Sequence, residues 1–219
     1  MSKAGVYCAV GLLSLAQVAG AAGETATARY RDLVDPVHLG RVLNLDPDLV
    51  SRLHFRIRIV PVDPAETASQ LTVAVAGQTY RANRVGAIDM PLTADLYRRN
   101  PVVTVQGSPA SGASIGMELR VWSASGSTVP MSTINLAMAQ YREATGKAAG
   151  PQRMFVPRLR TVVIRSEDPS TRCALQNGNR STALSTPDRN GEIRFPIRGG
   201  QPDAAISCRP GAREILLES

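Results

Sequence analysis

One stretch of this chain is written twice. Gly86-Ala87-Ile88-Asp89-Met90-Pro91-Leu92 and Gly191-Glu192-Ile193-Arg194-Phe195-Pro196-Ile197 both read Gly-x-Ile-x-Φ-Pro-Φ, with Φ apolar, and they lie 105 positions apart. Each follows an Asp-Pro step at the same interval, the glycine standing 23 residues after Asp63 in one case and after Asp168 in the other. Self-similarity at a fixed offset marks a structural unit used more than once, so the spacing predicts one small β module present in two copies.

The pattern around the first copy supports strands. Leu53, Phe55, Ile57 and Ile59 alternate with His54, Arg56 and Arg58, which predicts a strand with the apolar set inside and the basic set outside. Further short strands are expected at Leu71–Val75, Thr79–Arg81, Val102–Gln106 and Ile115–Trp122, with a turn at Gly77-Gln78 and a helical turn at Ala94–Arg98. In the last strand Ile115, Met117, Leu119 and Val121 point one way and Glu118 and Arg120 the other. Pro91 cannot donate to a ladder and belongs at an edge or a strand end. Between the copies Ile134, Met138 and Tyr141 follow a helical spacing, with Ser132 or Thr133 as a cap and Gly146 as the stop.

In the second copy Val162 and Ile164 fall where Ile57 and Ile59 stand, at the same offset of 105. Thr171–Leu175 matches Leu71–Val75 at an offset near 100, which puts Cys173 in place of Val73. Cys208 falls close to Val105 in the matched strand. The expected fold is therefore all-β: two tandem β-sandwich modules of the immunoglobulin-like kind joined by a short helix, after a signal peptide. The corresponding divisions are 1–22 signal peptide, 23–50 lead-in segment, 51–125 first module, 130–148 linker helix and 155–219 second module.

Lys3, the apolar run Val6–Ala16 and the small residues Ala19-Gly20-Ala21 form the three parts of a secretory signal. The run is shorter than the ~20 residues a membrane helix needs, and no later segment reaches that length. The reading is a periplasmic or secreted protein with no transmembrane segment in the mature chain. Cys173 and Cys208 are then the only mature cysteines, and an oxidising compartment pairs them. They close a loop of about 36 residues, worth roughly 4 kcal/mol in the chain-entropy picture. Their places on core positions predict a bridge across the sandwich, which resembles the inter-sheet disulfide of immunoglobulin domains, although no tryptophan lies between them.

The chemistry of the sequence is mostly negative. The net charge is +7 and Lys147 is the only lysine after the signal, so the excess is arginine, suited to phosphate, carboxylate, lipopolysaccharide or anionic lipid, or to ordinary solvation. Aromatic residues make up 4% of the chain, too few for a sugar-stacking or single-strand platform, and nucleic acid is not expected as a partner. No Gly-x-Ser-x-Gly, His-Glu-x-x-His or Cys-x-x-Cys occurs, and His38 and His54 are isolated. Asp63 and Asp168 precede proline in turns, where an aspartate bonds its own backbone. The expectation is a non-enzyme with no cofactor and no metal site, binding a protein or envelope component. Trp122, Met138, Tyr141 and Arg142, on and beside the helix, are the candidate contact residues. A pilus-assembly-type chaperone, or an inhibitor or immunity protein against a secreted toxin, are the alternative readings.

Overall fold

The computed structural model describes residues 25–35, 39–63, 68–107, 113–121, 125–149, 158–197 and 203–218. The expected signal peptide at 1–22, His38 and Trp122 lie outside the described residues. The fold is predominantly β and the sheets are antiparallel.

Residues through Leu45 together with Phe55–Glu118 make one compact unit. In chain order its elements are β1 (Thr25–Arg29), α1 (Tyr30–Val34), α2 (Leu39–Val42), β2 (Leu53–Pro61), β3 (Thr72–Val75), β4 (Gln78–Arg81), β5 (Ala87–Ile88), α3 (Ala94–Arg99), β6 (Val102–Gln106) and β7 (Ala113–Val121). Strands run β1-β6-β3-β4 in one sheet and β7-β2-β5 in another. Alternation explains the packing: Val73, Val75, Val103 and Val105 point inward toward Ile57, Ile59 and Ile88, and Tyr30, Met90 and Leu96 close the core. Helix α3 is set by local chemistry. Thr93 Oγ1 accepts from Leu96 N at 3.2 Å, and the chain leaves at Asn100 in the left-handed region, φ +46°, just before Pro101.

Asp46–His54 and Leu119–Ser219 make the other unit. After a 3-10 turn at Pro47–Val50 it contains β8 (Gly126–Pro130), α4 (Met131–Ala149), β9 (Thr161–Arg165), β10 (Arg172–Asn177), β11 (Arg180–Ala183), β12 (Glu192–Pro196), β13 (Ala205–Ala212) and β14 (Glu214–Glu218). Its strands run β11-β10-β13-β8 in one sheet and β12-β9-β14-β7 in the other, the latter through residues 119–121 of β7. Helix α4 buries Ile134, Ala137, Tyr141 and Ala144 along one stripe.

The echo in the sequence is an echo in hydrogen bonding. Asn83 Oδ1 accepts from Val85 N and Ala87 N at 3.1 and 2.9 Å, and Asp188 Oδ1 accepts from Asn190 N and Glu192 N at 2.8 and 3.0 Å. Gly86 N donates to Asn83 O and Gly191 N to Asp188 O, both at 2.9 Å. Ile59 N donates to Gly86 O and Ser166 N to Gly191 O, again both at 2.9 Å. The two glycines have φ of +84° and +75°. A Cβ at Gly86 would come within 2.0 Å of Ile59 O, so no other residue fits the turn as it stands.

This pairing corrects one alignment. Ile88 lies opposite Ile57 and Ile193 opposite Ile164, so β9 answers β2 at an offset of 107, two more than the sequence suggested. Because side chains alternate with period two, a slip of two keeps every residue on its face, which is why the hydrophobic pattern could not reveal it.

The echo also begins earlier than the motif. In one unit β1 lies at a sheet edge beside β6, α1 starts at the next residue, and Tyr30 N donates to Pro101 O at 3.0 Å. In the other β8 lies at a sheet edge beside β13, α4 starts at the next residue, and Met131 N donates to Ala204 O at 2.8 Å. The segment expected as a lead-in and the helix expected as a linker thus hold matching places in the two sheets. Helix α4 comes straight out of β8 before Ser132, which leaves neither Ser132 nor Thr133 as its cap, and it runs on past Gly146.

The disulfide is a second correction. Cys173 and Cys208 are bonded, but they are directly opposed partners on the adjacent strands β10 and β13, with Cα atoms 4.1 Å apart. The bridge lies within one sheet and does not cross between two. Cys173 O accepts from Leu184 N on the side of β11, so toward β13 the same residue occupies a non-hydrogen-bonded pair, where opposed Cα atoms come closest. The first copy carries Val73 directly opposite Val105 at the matching place.

Candidate functional site

Buried charge is the first place to look for chemistry, and in this chain it is spent on strand pairing. Arg165 on β9 stands opposite Glu192 of β12 on one side and Glu214 of β14 on the other. Its Nη2 lies 2.7 Å from Glu192 Oε1 and its Nη1 3.0 Å from Glu214 Oε2, with all three side chains buried. Arg194 also pairs with Glu192, and further reaches Asp188 at 2.9 Å and Glu218 at 3.3 Å. Burial works against the Arg194 charge, but the surrounding carboxylates outweigh it and raise its pKa further.

The other unit has its own version. Arg56 was expected on the solvent side of β2, yet it is 1% exposed, with Nη2 2.8 Å from Glu118 Oε2 and Nη1 3.4 Å from Asp89 Oδ1. Arg58, also expected outside, reaches the same Glu118 at 3.6 Å and donates from Nε to Val85 O at 2.9 Å. Removing a carboxylate held across a strand pair in this way would leave a buried arginine uncompensated. Each described buried arginine and carboxylate therefore has a structural use.

The turn acid Asp168 likewise serves its own loop. Ser170 N and Ser170 Oγ donate to its Oδ1 at 2.7 and 2.6 Å, and these bonds hold its carboxyl below the usual carboxylate range. Among the described residues no three His, Cys, Asp or Glu side chains gather as a metal site would require. No described helix is long and apolar enough to cross a membrane.

Of the expected contact residues, Met138, Tyr141 and Arg142 fall on α4. Tyr141 is buried in the core of its own unit, Met138 is half-buried, and Arg142 is exposed with its Nε donating to Met138 O at 3.3 Å. The helix is tied to the 3-10 turn through Gln140, whose Nε2 donates to Asp48 O and Ser51 Oγ while its Oε1 accepts from Arg52 N. Its exposed side is left with Leu136, half of whose surface is open.

Two other surfaces stand out, and they match each other. On the outer face of the sheet β1-β6-β3-β4, Thr27, Thr104, Ala74 and Thr79 lie side by side in one row across four strands. On the outer face of β11-β10-β13-β8 the corresponding row is Ala183, Ala174, Ser207 and Thr128. All eight are exposed or half-buried, and on the inner strands their neighbours Val73, Val75, Val103, Val105, Cys173, Ile206 and Cys208 are buried. None of the eight strands of these two sheets carries an aspartate or glutamate, while Arg29, Arg81, Arg172, Arg180 and Arg209 lie on them. The result is a pair of low, hydroxyl-bearing, acid-free faces. The sequence held the alternation that makes them, but only strand register shows that the small residues share a row.

No model of a known family, no curated protein and no solved structure matches this chain.

Proposed function

We propose that this chain is an exported, non-catalytic binding protein, periplasmic or secreted, whose duplicated β-sandwich modules of immunoglobulin-like kind engage a protein or envelope partner. The observation that carries the reading is the pair of matching outer faces, built from small side chains and free of carboxylates. A second backbone can approach such a face closely, and arginines around it favour acidic groups on the partner. The use of the described buried charges in strand pairing supports a binding role over acid–base work.

A second reading, a pilus-assembly-type chaperone, draws support from β11. This edge strand is exposed at all four residues, Arg180, Ser181, Thr182 and Ala183, and contains no proline, so its outer backbone groups can pair with an added strand.

Affinity capture from an envelope extract tests both, with the mature chain as bait beside a variant carrying Thr104→Arg and Ser207→Arg. The expected result is a discrete partner retained by the parent and lost by the variant. A fimbrial subunit held equally by both baits would favour strand addition. Turnover of a substrate by the purified chain would remove the non-catalytic reading.

A further inference from the structure

The chain contains two Asn-Gly steps, Asn177-Gly178 and Asn190-Gly191. The structure treats them in opposite ways. We infer that Asn177 is a site of spontaneous amide loss, converting to aspartate and isoaspartate through a cyclic imide, while Asn190 is protected by its turn.

The reaction needs only water. The backbone nitrogen of the glycine gives up its proton and attacks the asparagine Cγ. The bond from Cγ to the side-chain nitrogen breaks, and ammonia leaves with that proton. Water then opens the five-membered imide at either carbonyl, which gives the aspartyl or the isoaspartyl peptide. Asn-Gly is the reactive pairing because glycine has no side chain to obstruct ring closure and the widest backbone freedom to reach it. Two structural conditions follow: the glycine amide must be able to leave its hydrogen bonds, and the segment must be able to rotate.

Asn190-Gly191 fails both conditions. The Gly191 amide donates to Asp188 O at 2.9 Å, so the attacking nitrogen is already engaged. Asn190 N is held by Asp188 Oδ1 at 2.8 Å, and Gly191 O accepts from Ser166 N at 2.9 Å, which pins the step from both sides. Asn177-Gly178 sits at the tip of the β10–β11 hairpin. Asn177 opposite Arg180 is the last pair of the ladder, with Gly178 and Asn179 beyond it. All four residues are exposed, and a Cβ built on Gly178 would meet nothing within 4 Å. The hairpin ends on an edge strand, the part of a sheet that opens at least cost.

The product changes the surface that carries it. The strands of the sheet β11-β10-β13-β8 hold no carboxylate, and conversion would set one directly opposite Arg180. The isoaspartyl form also lengthens the backbone by one methylene at the last rung of the ladder, where register is decided.

The test is peptide mapping of the purified full-length chain during incubation at mildly alkaline pH, native and in denaturant. After reduction, trypsin releases Asn177 within Cys173–Arg180 and Asn190 within Asn190–Arg194. In the native protein Asn177 is expected to lose its amide at least about tenfold faster than Asn190, the protection that a closed local structure confers. In denaturant the two sites should convert at similar rates. Gly178→Ala should suppress conversion at Asn177, and Asp188→Ala should raise it at Asn190. Equal native rates at the two sites, or an Asn177 amide as durable in the folded protein as that of Asn190, overturn the proposal.

Discussion

Tyr30 shows how much one residue can reveal about the forces in this fold. Its ring is fully buried, its hydroxyl donates to Pro91 O at 3.0 Å, and burial pushes its pKa up from 10.0 to about 12. A folded-state value above the unfolded one means that the buried neutral phenol stabilises fully below pH 10, and that this contribution is lost as pH rises toward about 12. The size is roughly 3 kcal/mol at most. Denaturant titrations across that window should therefore show a steeper alkaline loss of stability in the parent than in Tyr30→Phe, and identical slopes would remove this account. Nothing in the sequence around Tyr30 announced it, since the residue lies in what reads as an irregular lead-in. Gly86 and Gly191 are the contrary case. Both were legible from the repeated motif, because a turn that needs a positive φ leaves a glycine in the sequence.

At the level of elements the strands were legible and their partners were not. Alternation in β2, β3, β6 and β7 follows directly from which face meets a core, but alternation is silent about charge that has been paired. Arg56 and Arg58 read as solvent-facing because arginine usually is. Arg56 is buried and Arg58 half-buried because Glu118 arrives from β7, with Asp89 just past β5 also reaching Arg56. Arg165 is buried for the same reason, paired with Glu192 and Glu214 from the strands on either side. Replacing it by methionine should cost about 3 kcal/mol, the low end for breaking a buried pair, since Arg194 and Arg120 still face Glu192 and Glu214. Adding Glu192→Gln and Glu214→Gln to that variant should recover part of the loss in a denaturation midpoint, and a cost that persists unchanged would point to packing instead. A further prediction concerns the cross-strand valines. Leu71 O accepts from Ala82 N on the side of β4, so by alternation Val73 opposite Val105 is a non-hydrogen-bonded pair like the cysteines. Val73→Cys with Val105→Cys should oxidise to a second bridge, detectable by non-reducing peptide mapping, and raise the stability of its unit by up to roughly 4 kcal/mol. Free thiols after air oxidation would contradict the register.

For the whole molecule, the matching hydrogen-bond patterns of the two units have a measurable consequence, because the units are not stabilised in the same way. Only one unit holds a disulfide among its described residues, whereas its counterpart relies on valine packing at the matching place. Mild reduction should therefore lower amide protection in β10 and β13 while leaving β3 and β6 unchanged when hydrogen exchange is followed by mass spectrometry. A uniform loss over both sheets would mean that the units do not respond separately. The amino-acid order by itself determined that a short turn motif recurs, which strands alternate, which glycines its turns require and which two cysteines meet. These are local or compositional properties, and they survive without knowledge of neighbours. Tertiary structure alone decided the two-residue shift between copies, the bridge lying within a sheet, the inward turn of Arg56 and Arg165, and the alignment of Thr27, Thr104, Ala74 and Thr79 into one row. Each of these depends on register between strands far apart in the chain, and a period of two leaves register undefined until the strands have packed.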